Sequence, residues 1–234
     1  MLASLALFLE RYLLSLLFLY LAWGQLGPIR TQIGAVMAPG AVMAYALPGL
    51  VQHVLVLVFD VQVGVLLLLS RKPAVPPRSV KDVLVPLVAN FFYLTYNLIG
   101  LAPAALARNL VPAAWRVPAS AAALYLSLAG IALATWAVAH LGRSFGVLVS
   151  VRPLVTSGPY RHVRHPIYSS YVLQMGALLA AYGSALVLAL VAIYLALLVW
   201  RARLEEARLD EHSAGYRDYA ARTPFLLPRL GAGR

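Results

Sequence analysis

Long apolar runs, separated by short polar segments, make up most of the chain. Several of these runs approach or exceed the roughly 20 residues that a helix needs to cross the hydrocarbon core of a bilayer. The pattern predicts six membrane spans, at about 12–27, 49–70, 82–101, 119–141, 167–182 and 184–200. The predicted fold class is therefore an all-α integral membrane protein with about six transmembrane helices.

The last two spans are predicted to form a helical hairpin that turns near Gly183. Upstream, the apolar stretch 33–48 is broken by proline and glycine, which favours a re-entrant or interfacial segment. The first apolar run has the hydropathy of a signal peptide. However, Glu10 and Arg11 interrupt it and no small-residue cleavage site follows, so we expect it to be retained.

The composition supports a membrane location. Hydrophobic residues make up 62% of the chain and charged residues only 12%, against about a quarter in soluble domains. Cysteine is absent, which excludes disulfides, thiolate metal sites and cysteine nucleophiles. Because no pair of histidines has ligand spacing with a supporting carboxylate on one helix, we expect no metal site.

The net charge of +11 follows the predicted topology. With the N-terminus inside, 16 of the 19 lysines and arginines fall in cytoplasmic segments and three fall in outer loops. An excess of basic residues on the cytoplasmic side is the rule for membrane proteins, so the charge does not indicate a nucleic-acid partner. The same split places the 142–166 segment and the C-terminal tail together in the cytoplasm.

The stretch SGPYRHVRHPIYSSY, residues 157–171, lies at the entrance to the hairpin. Its prolines favour extended or turn geometry, which predicts an ordered loop. Tyr160, His165 and Tyr168 offer stacking faces and hydrogen bonds that suit a heteroaromatic ring. An interfacial belt of tyrosine and arginine is the alternative for any one of these residues, but a belt does not need His-Pro-x-Tyr.

Past the last span, the stretch RARLEEARLDEHSAGYRDYAAR predicts a C-terminal helix of mixed charge. Arg201 and Glu205 are four residues apart and share one face of it. A solvated ion pair, worth only about 0.3–0.5 kcal/mol, is one interpretation. Separate roles in a site are the other, since arginine before glutamate is the weaker order for such a pair.

Four motifs occur together between residues 153 and 228: PLVTSGPY, then RHPIY, then RARLEEARL after an apolar hairpin, and finally YRDYAARTPFLLP. In this order and spacing they resemble the isoprenylcysteine carboxyl methyltransferase family. The resemblance implies an S-adenosylmethionine-dependent methyltransferase embedded in the membrane. It also implies N-terminal transmembrane helices over 1–141 and a methyltransferase core over 142–234, made of the cofactor loop, the hairpin and the tail.

Carried over position by position, the resemblance implies a set of site residues. Arg201 and Glu205 would be the catalytic pair, with Arg201 facing the substrate. The residues that would bind the cofactor are Leu154, Val155, Tyr160, His165, Tyr168 and Glu205.

The acceptor is less defined than the cofactor. The family usually carries glycine about two residues after the tyrosine of R-H-P-x-Y, where this chain has Ser169 and Ser170. Relatives that act on prenylated proteins often have a histidine just before L-V-T, where Arg152 and Pro153 stand. An isoprenoid or prenyl-cysteine carboxylate and a lipid amine all stay open as acceptors.

Two other functions are compatible with parts of the sequence. Membrane sterol reductases, which use NADPH, share a similar hairpin and a related motif, but Ile167 and the two serines after Tyr168 do not match theirs. A non-catalytic transporter would accommodate polar residues in the spans, yet its site belongs near the bilayer midplane and not in a cytoplasmic loop.

Polar residues inside the spans have no assigned role. His53 lies seven residues before Asp60, on the same helix face, and is its candidate partner; a neutral buried aspartate and a functional one are the alternatives. Asn90, Tyr93 and Asn97 share a face, for interhelical hydrogen bonds or for lining an acceptor channel. His140 is left unassigned.

The abundance of alanine, leucine and arginine favours a bacterial source. We therefore expect a multi-pass protein of a bacterial inner membrane with its active site facing the cytoplasm. Its expected partners are membrane lipid and a lipophilic or lipidated acceptor, and its oligomeric state is not predicted.

The charge split yields a topology that labelling can test. Because the chain lacks cysteine, Ser157→Cys and Ser213→Cys each introduce a single reactive thiol. Both variants should react with a membrane-impermeant maleimide only from the cytoplasmic side, in inverted vesicles. Labelling of either thiol in intact cells would contradict the predicted topology.

Overall fold

The computed structural model describes residues 2–40, 42–92, 95 and 103–228, and over these residues the chain is helical. A π-helical segment, Leu9–Leu14, joins the first two α-helices. The helices are α1 (Leu2–Phe8), α2 (Ser15–Gly24), α3 (Leu26–Met37), α4 (Met43–Leu69), α5 (Lys81–Phe91), α6 (Ala104–Ala107), α7 (Arg116–Leu141), α8 (Pro166–Tyr182), α9 (Ala185–His212) and α10 (Tyr216–Arg222).

Four helical stretches of the described chain are long and apolar enough to cross a membrane: Ala3–Met37, Met43–Leu69, Ala113–Ser144 and Ala185–His212. The all-helical membrane fold is therefore confirmed, whereas the count of six is not. α8 has 17 residues, a length of about 25 Å, which is short for a full crossing. The predicted span 82–101 is described only through Phe92 and at Thr95, and its remainder lies outside the described residues.

The stretch 33–48 is not a separate re-entrant segment, because it forms the end of α3 and the start of α4. Pro48 lies inside α4, where its missing N–H frees the carbonyl of Ala44, one turn earlier. The Tyr125 hydroxyl of α7 donates to that carbonyl at 3.1 Å. The helix continues past the proline because a neighbouring helix supplies the missing hydrogen bond.

Pro86 of α5 has the same effect in a different place. It frees the carbonyl of Asp82, which accepts the Val149 N–H at 3.0 Å. The Asp82 carboxylate also accepts from Arg208 of α9 at 2.8 Å. The start of α5 thereby holds both α9 and the segment 145–152, which we call the inner loop.

Two apolar clusters form the core on either side of the inner loop. One packs α8 against α9 and contains Phe92, Tyr168, Met175, Val187, Val191, Tyr194, Leu198 and Ala202. The other packs α2, α4 and α7 together with the inner loop and contains Leu14, Phe18, Val63, Leu67, Val138, Phe145 and Val147. Apolar side chains of the inner loop are therefore anchored between the first helices and α7.

The α8–α9 hairpin turns at Gly183, as predicted, and Ser184 caps α9 by accepting the Val187 N–H at 3.2 Å. α9 then continues without a break to His212. The predicted C-terminal helix is thus divided: its first half extends the last span, and its second half is α10. The break falls at Gly215, whose φ of +78° ends the helical path.

After α10 the chain returns to the stretch 157–165, which we call the cofactor loop. Arg164 holds the two together: its main-chain N–H donates to Pro224 at 2.8 Å, and its guanidinium donates to the carbonyls of Ala220 and Thr223. The same guanidinium donates to Glu206 of α9 at 2.7 Å. One arginine therefore fixes the loop, the tail and α9 relative to each other.

Removing the Glu206 carboxylate should destabilise this junction. In Glu206→Ala, Arg164 and His165 stay mostly buried without their acceptor, so the free energy of unfolding should fall by about 1–3 kcal/mol. Denaturant unfolding of detergent-solubilised protein measures this loss. Asp210→Ala is the control, because it breaks an exposed pair with Arg217 and should have no measurable effect. Equal unfolding midpoints for the two variants would contradict the prediction.

Candidate cofactor and substrate site

A cleft opens where α8 begins and α9 leaves the apolar core. Its walls are the inner loop, the cofactor loop, α8, α9 and α10. All the residues that the family resemblance predicts for the site line this one cleft: Leu154, Val155, Tyr160, His165, Tyr168, Arg201 and Glu205. The fold thus brings the two neighbouring motifs before the hairpin together with the motif that follows it.

The rings of His165 and Tyr168 form a stacked pair, with centroids 5.1 Å apart and planes inclined by 8°. Pro166 starts α8, so His165 immediately precedes the helix and Tyr168 lies in its first turn. Phe225 of the tail meets the histidine ring edge-on at 5.0 Å, and Glu206 lies 3.1 Å from its Nε2. Because a carboxylate can only accept, Nε2 carries a proton and the orientation of the ring is fixed.

The predicted pair of Arg201 and Glu205 is formed, with Nε donating to Oε1 at 3.1 Å. The same oxygen accepts the Tyr168 hydroxyl at 2.5 Å, and Nη2 of Arg201 donates to the Val147 carbonyl at 2.8 Å. The guanidinium also lies over the Tyr168 ring, 5.3 Å from its centroid. Since only 7% of the arginine and 26% of the glutamate side chain is exposed, a solvated surface pair does not describe it.

Tyr160 also lines the cleft and is held by the tail. Its carbonyl accepts the Tyr219 hydroxyl at 2.7 Å. Burial raises the pKa of the Tyr160 phenol well above its usual value, and burial raises that of Tyr219 to about 12, so both stay neutral. Gly158 has a φ of +60°, and a Cβ there would overlap the ring of His140. This contact gives His140 a packing position beneath the cofactor loop.

Sequence reasoning missed the carboxylates that stand behind the cleft. Glu206 is adjacent to a predicted site residue and orients His165, as described above. Glu10 was noted only as an interruption of the first apolar run, yet its Oε2 lies 3.0 Å from Nη2 of Arg152 in the cleft wall. The sequence did contain a signal for this pair: an acidic residue inside an apolar run is costly in a membrane, so Glu10 needs a partner of opposite charge.

Among the unassigned polar residues, Asn90 lines the cleft, while Tyr93 and Asn97 lie outside the described residues. The predicted pairing of His53 with Asp60 is wrong. His53 Nδ1 lies 3.1 Å from Gln25 Oε1, and a separation of two turns places His53 about 10 Å from Asp60 along α4. Asp60 is buried.

The cleft carries a balanced charge although the chain is strongly basic. Each of its three arginines lies next to a carboxylate, in the pairs Arg152–Glu10, Arg164–Glu206 and Arg201–Glu205. Each positive charge of the walls is thus compensated by a neighbouring carboxylate, of which Glu205 itself lines the cleft.

Part of the chain is similar in sequence to known proteins. Residues 123–211 match the sequence model of the isoprenylcysteine carboxyl methyltransferase (ICMT) family. The chain is 33% identical over 118 residues to protein-S-isoprenylcysteine O-methyltransferase B of Arabidopsis thaliana, across 45% of this chain and 57% of that protein.

Two bacterial proteins are similar over regions of comparable length. One is the nickel-cobalt-cadmium resistance protein NccN of Alcaligenes xylosoxydans xylosoxydans, 35% identical across 49% of this chain and 54% of that protein. The other is the cobalt-zinc-cadmium resistance protein CzcN of Cupriavidus metallidurans, 37% identical across 47% and 51%.

The chain spans about half the length of the curated relatives it matches. The matched segment contains the cofactor loop, the hairpin and the helix that carries Arg201 and Glu205. The resemblance predicted from the motifs is confirmed: residues 123–211 match the sequence model of the isoprenylcysteine carboxyl methyltransferase family, and the plant methyltransferase is similar over a region of comparable length.

Proposed function

We propose that this protein is an integral membrane methyltransferase that transfers a methyl group from S-adenosylmethionine to a lipophilic acceptor. The observation that carries the proposal is the convergence of the motif residues on one cleft beside the apolar hairpin. The resemblance implies the roles of these residues, and their proximity supports a common site. The distribution of basic residues supports a reaction on the cytoplasmic side.

The chemistry of the cleft fits this cofactor. The stacked His165 and Tyr168 rings form a flat wall suited to an adenine, and the backbone of Leu154 and Val155 supplies hydrogen-bonding groups at the rim. Glu205 is the partly exposed carboxylate in the cleft, so it is suited to the cationic end of the cofactor. When bound, S-adenosylmethionine supplies an electrophilic methyl group on its sulfonium.

An apolar groove beside the cleft suits a lipophilic acceptor. It runs between α8, α9 and the tail, and it shares Tyr168 with the cleft. Its other lining residues are all apolar: Val172, Leu195, Leu198, Val199, Ala202, Leu226 and Leu227. An isoprenoid acid, a prenyl-cysteine carboxylate and a lipid amine are the acceptor classes that this groove accommodates.

In this mechanism the protein contributes alignment. Arg201 is held by hydrogen bonds to Glu205 and to the Val147 carbonyl, which fix the orientation of its guanidinium. In this orientation it binds the polar end of the acceptor. Glu205, fixed in turn by the Tyr168 hydroxyl, holds the cofactor. Alignment of two reactants in this way can supply several kcal/mol of the barrier reduction without a covalent enzyme intermediate.

Cofactor binding is the first test of the proposal. Calorimetry on the purified protein in nanodiscs should show binding of S-adenosylmethionine, and S-adenosylhomocysteine should compete for the same site. NADPH should not bind. Binding of NADPH without binding of either adenosyl compound would replace the methyltransferase with the reductase alternative.

Substitution of the central pair should separate cofactor from acceptor. Glu205→Ala should weaken cofactor binding roughly ten- to a hundredfold, because a charge-assisted contact is worth about 1.5–3 kcal/mol. Arg201→Ala should leave cofactor affinity nearly intact but slow single-turnover methyl transfer, since the acceptor is no longer aligned. Arg201→Lys should not restore turnover, because a lysine cannot reproduce the two directed bonds to Glu205 and Val147.

These variants are compared at temperatures where thermal melts show them folded, with a farnesylated cysteine, an isoprenoid acid and phosphatidylethanolamine as acceptors. Asp210→Ala is the control, because Asp210 forms an exposed pair with Arg217 and does not line the cleft, so cofactor affinity and turnover should both stay normal. Normal affinity and normal turnover in both Arg201→Ala and Glu205→Ala would reduce the pair to a structural contact.

A further inference from the structure

One carboxylate of the first membrane helix, that of Glu10, contacts residues that line the candidate site. Glu10 lies in the π-helical segment that joins α1 to α2, far upstream of the matched residues 123–211. Its side chain is only 3% exposed. π-Helical turns within a helix are rare and are frequent at functional sites, because they displace a side chain from the regular helical path.

That carboxylate makes three bonds to the inner loop. Oε1 accepts the main-chain N–H groups of Val147 at 2.6 Å and Leu148 at 2.8 Å, while Oε2 accepts from Arg152 at 3.0 Å. Among the described residues, no other carboxylate lies within 4.0 Å of the Arg152 guanidinium. Glu10 is therefore the counter-charge of an arginine that lines the cleft.

The residues held by Glu10 are those on which the proposed site depends. The carbonyl of Val147 orients Arg201, and Arg152 precedes the predicted cofactor-binding Leu154 by two residues. Gly146 packs directly on the Arg152 guanidinium, so that a Cβ there would overlap it. The arginine thus has one position, behind the inner loop and against Glu10.

Stability alone does not account for this arrangement. Two charges buried at 3% and 6% exposure lose their hydration, and an apolar pair of similar volume often stabilises a fold as well or better. A buried pair in the wall of a ligand cleft has another consequence: the positive charge of Arg152 is cancelled where the cofactor binds. An uncancelled arginine there would repel a sulfonium.

We propose that Glu10 is a positioning residue of the cofactor site: it fixes the inner loop and neutralises Arg152, so that the cleft accepts a cationic cofactor. This role rests on the proposed methyltransferase function. It makes the first membrane helix a functional part of the site.

The charge difference between cofactor and product tests this role. S-adenosylmethionine carries a sulfonium and S-adenosylhomocysteine a neutral thioether, so an added positive charge in the cleft weakens binding of the first more than the second. Glu10→Gln keeps the size of the side chain and an oxygen that can accept from Val147 and Leu148, but it leaves Arg152 uncompensated. The ratio of the dissociation constants, cofactor over product, should rise on the order of tenfold.

Removing the arginine should have the opposite effect. Arg152→Met leaves the Glu10 carboxylate without its cation, so the same ratio should fall below that of the wild type. The double variant Glu10→Gln with Arg152→Met removes both charges and should return the ratio to the wild-type value. Opposite shifts that cancel are not expected from a general loosening of the structure.

Asp82→Asn is the matched control. Asp82 also accepts two main-chain N–H groups, from Arg78 at 2.8 Å and Ser79 at 3.0 Å, and an arginine, Arg208, at 2.8 Å. Neither Asp82 nor Arg208 lines the cleft. This variant should lower the melting temperature and leave the ratio unchanged.

Calorimetric titration of the full-length protein in nanodiscs with both adenosyl compounds measures the ratio for each variant. A Glu10→Gln ratio within twofold of the wild type, or an equal shift in Asp82→Asn, would overturn the role of Glu10 while leaving the methyltransferase proposal intact. If Glu10→Gln does not fold, an Arg152→Met ratio that does not fall below the wild type overturns it. Wild-type protein that binds neither compound overturns the proposed function and this role together.

Discussion

A charge at the edge of a bilayer has little water to solvate it, so it needs a partner of opposite sign. Around the cleft this constraint is met by three carboxylates, one from the start of the chain and two adjacent ones from α9. Glu10 brings the first helix to the inner loop, Glu206 brings α9 to the cofactor loop, and Glu205 holds Arg201 within α9. The first two pairs also link separate segments, whereas the third is internal to α9 and its arginine reaches the inner loop through the Val147 carbonyl.

The main chain obeys a related constraint, because an unpaired carbonyl in an apolar environment costs as much as a lost hydrogen bond. Pro48 and Pro86 each free one carbonyl inside a helix. In α4 the hydroxyl of Tyr125, from α7, donates to the unpaired carbonyl, and this hydrogen bond joins two membrane helices. In α5 the Val149 N–H donates to the unpaired carbonyl of Asp82, and this hydrogen bond attaches the inner loop to α5. The second proline therefore contributes directly to the position of the site.

The sequence predicted the local features well, since their causes are local. The hairpin turn at Gly183 follows from a glycine between two apolar runs, and the contents of the cleft follow from motifs whose spacing reflects a common fold. The end of α9 was misjudged because charged residues after 200 were taken to end the span. Charge ends the apolar run, but residues with high helix propensity continue the same helix to His212.

Long-range pairings were beyond the reach of a single sequence. Glu10 and Arg152 are 142 residues apart, and nothing near either of them indicates the other. The candidate pair of His53 and Asp60 did not form for the opposite reason. The two residues are close in sequence and share a helix face, yet two turns separate them, and Gln25, between α2 and α3, provides the contact to His53. A shared face shows which residues point the same way, and it does not show which of them touch.

In the proposed function, the continuity of α9 lets a water-soluble cofactor and a lipophilic acceptor meet. Its apolar part, around Leu198 and Ala202, forms one wall of the groove, and its next turn carries Glu205 into the cleft. Arg201 lies between the two on the same rigid helix, with its guanidinium against Tyr168, the residue that groove and cleft share. The boundary between the apolar and polar regions thus falls within one turn of helix. Arg201 and Glu205 are fixed by a helix rather than by a loop, so in the proposed reaction the backbone itself sets the alignment of the two reactants.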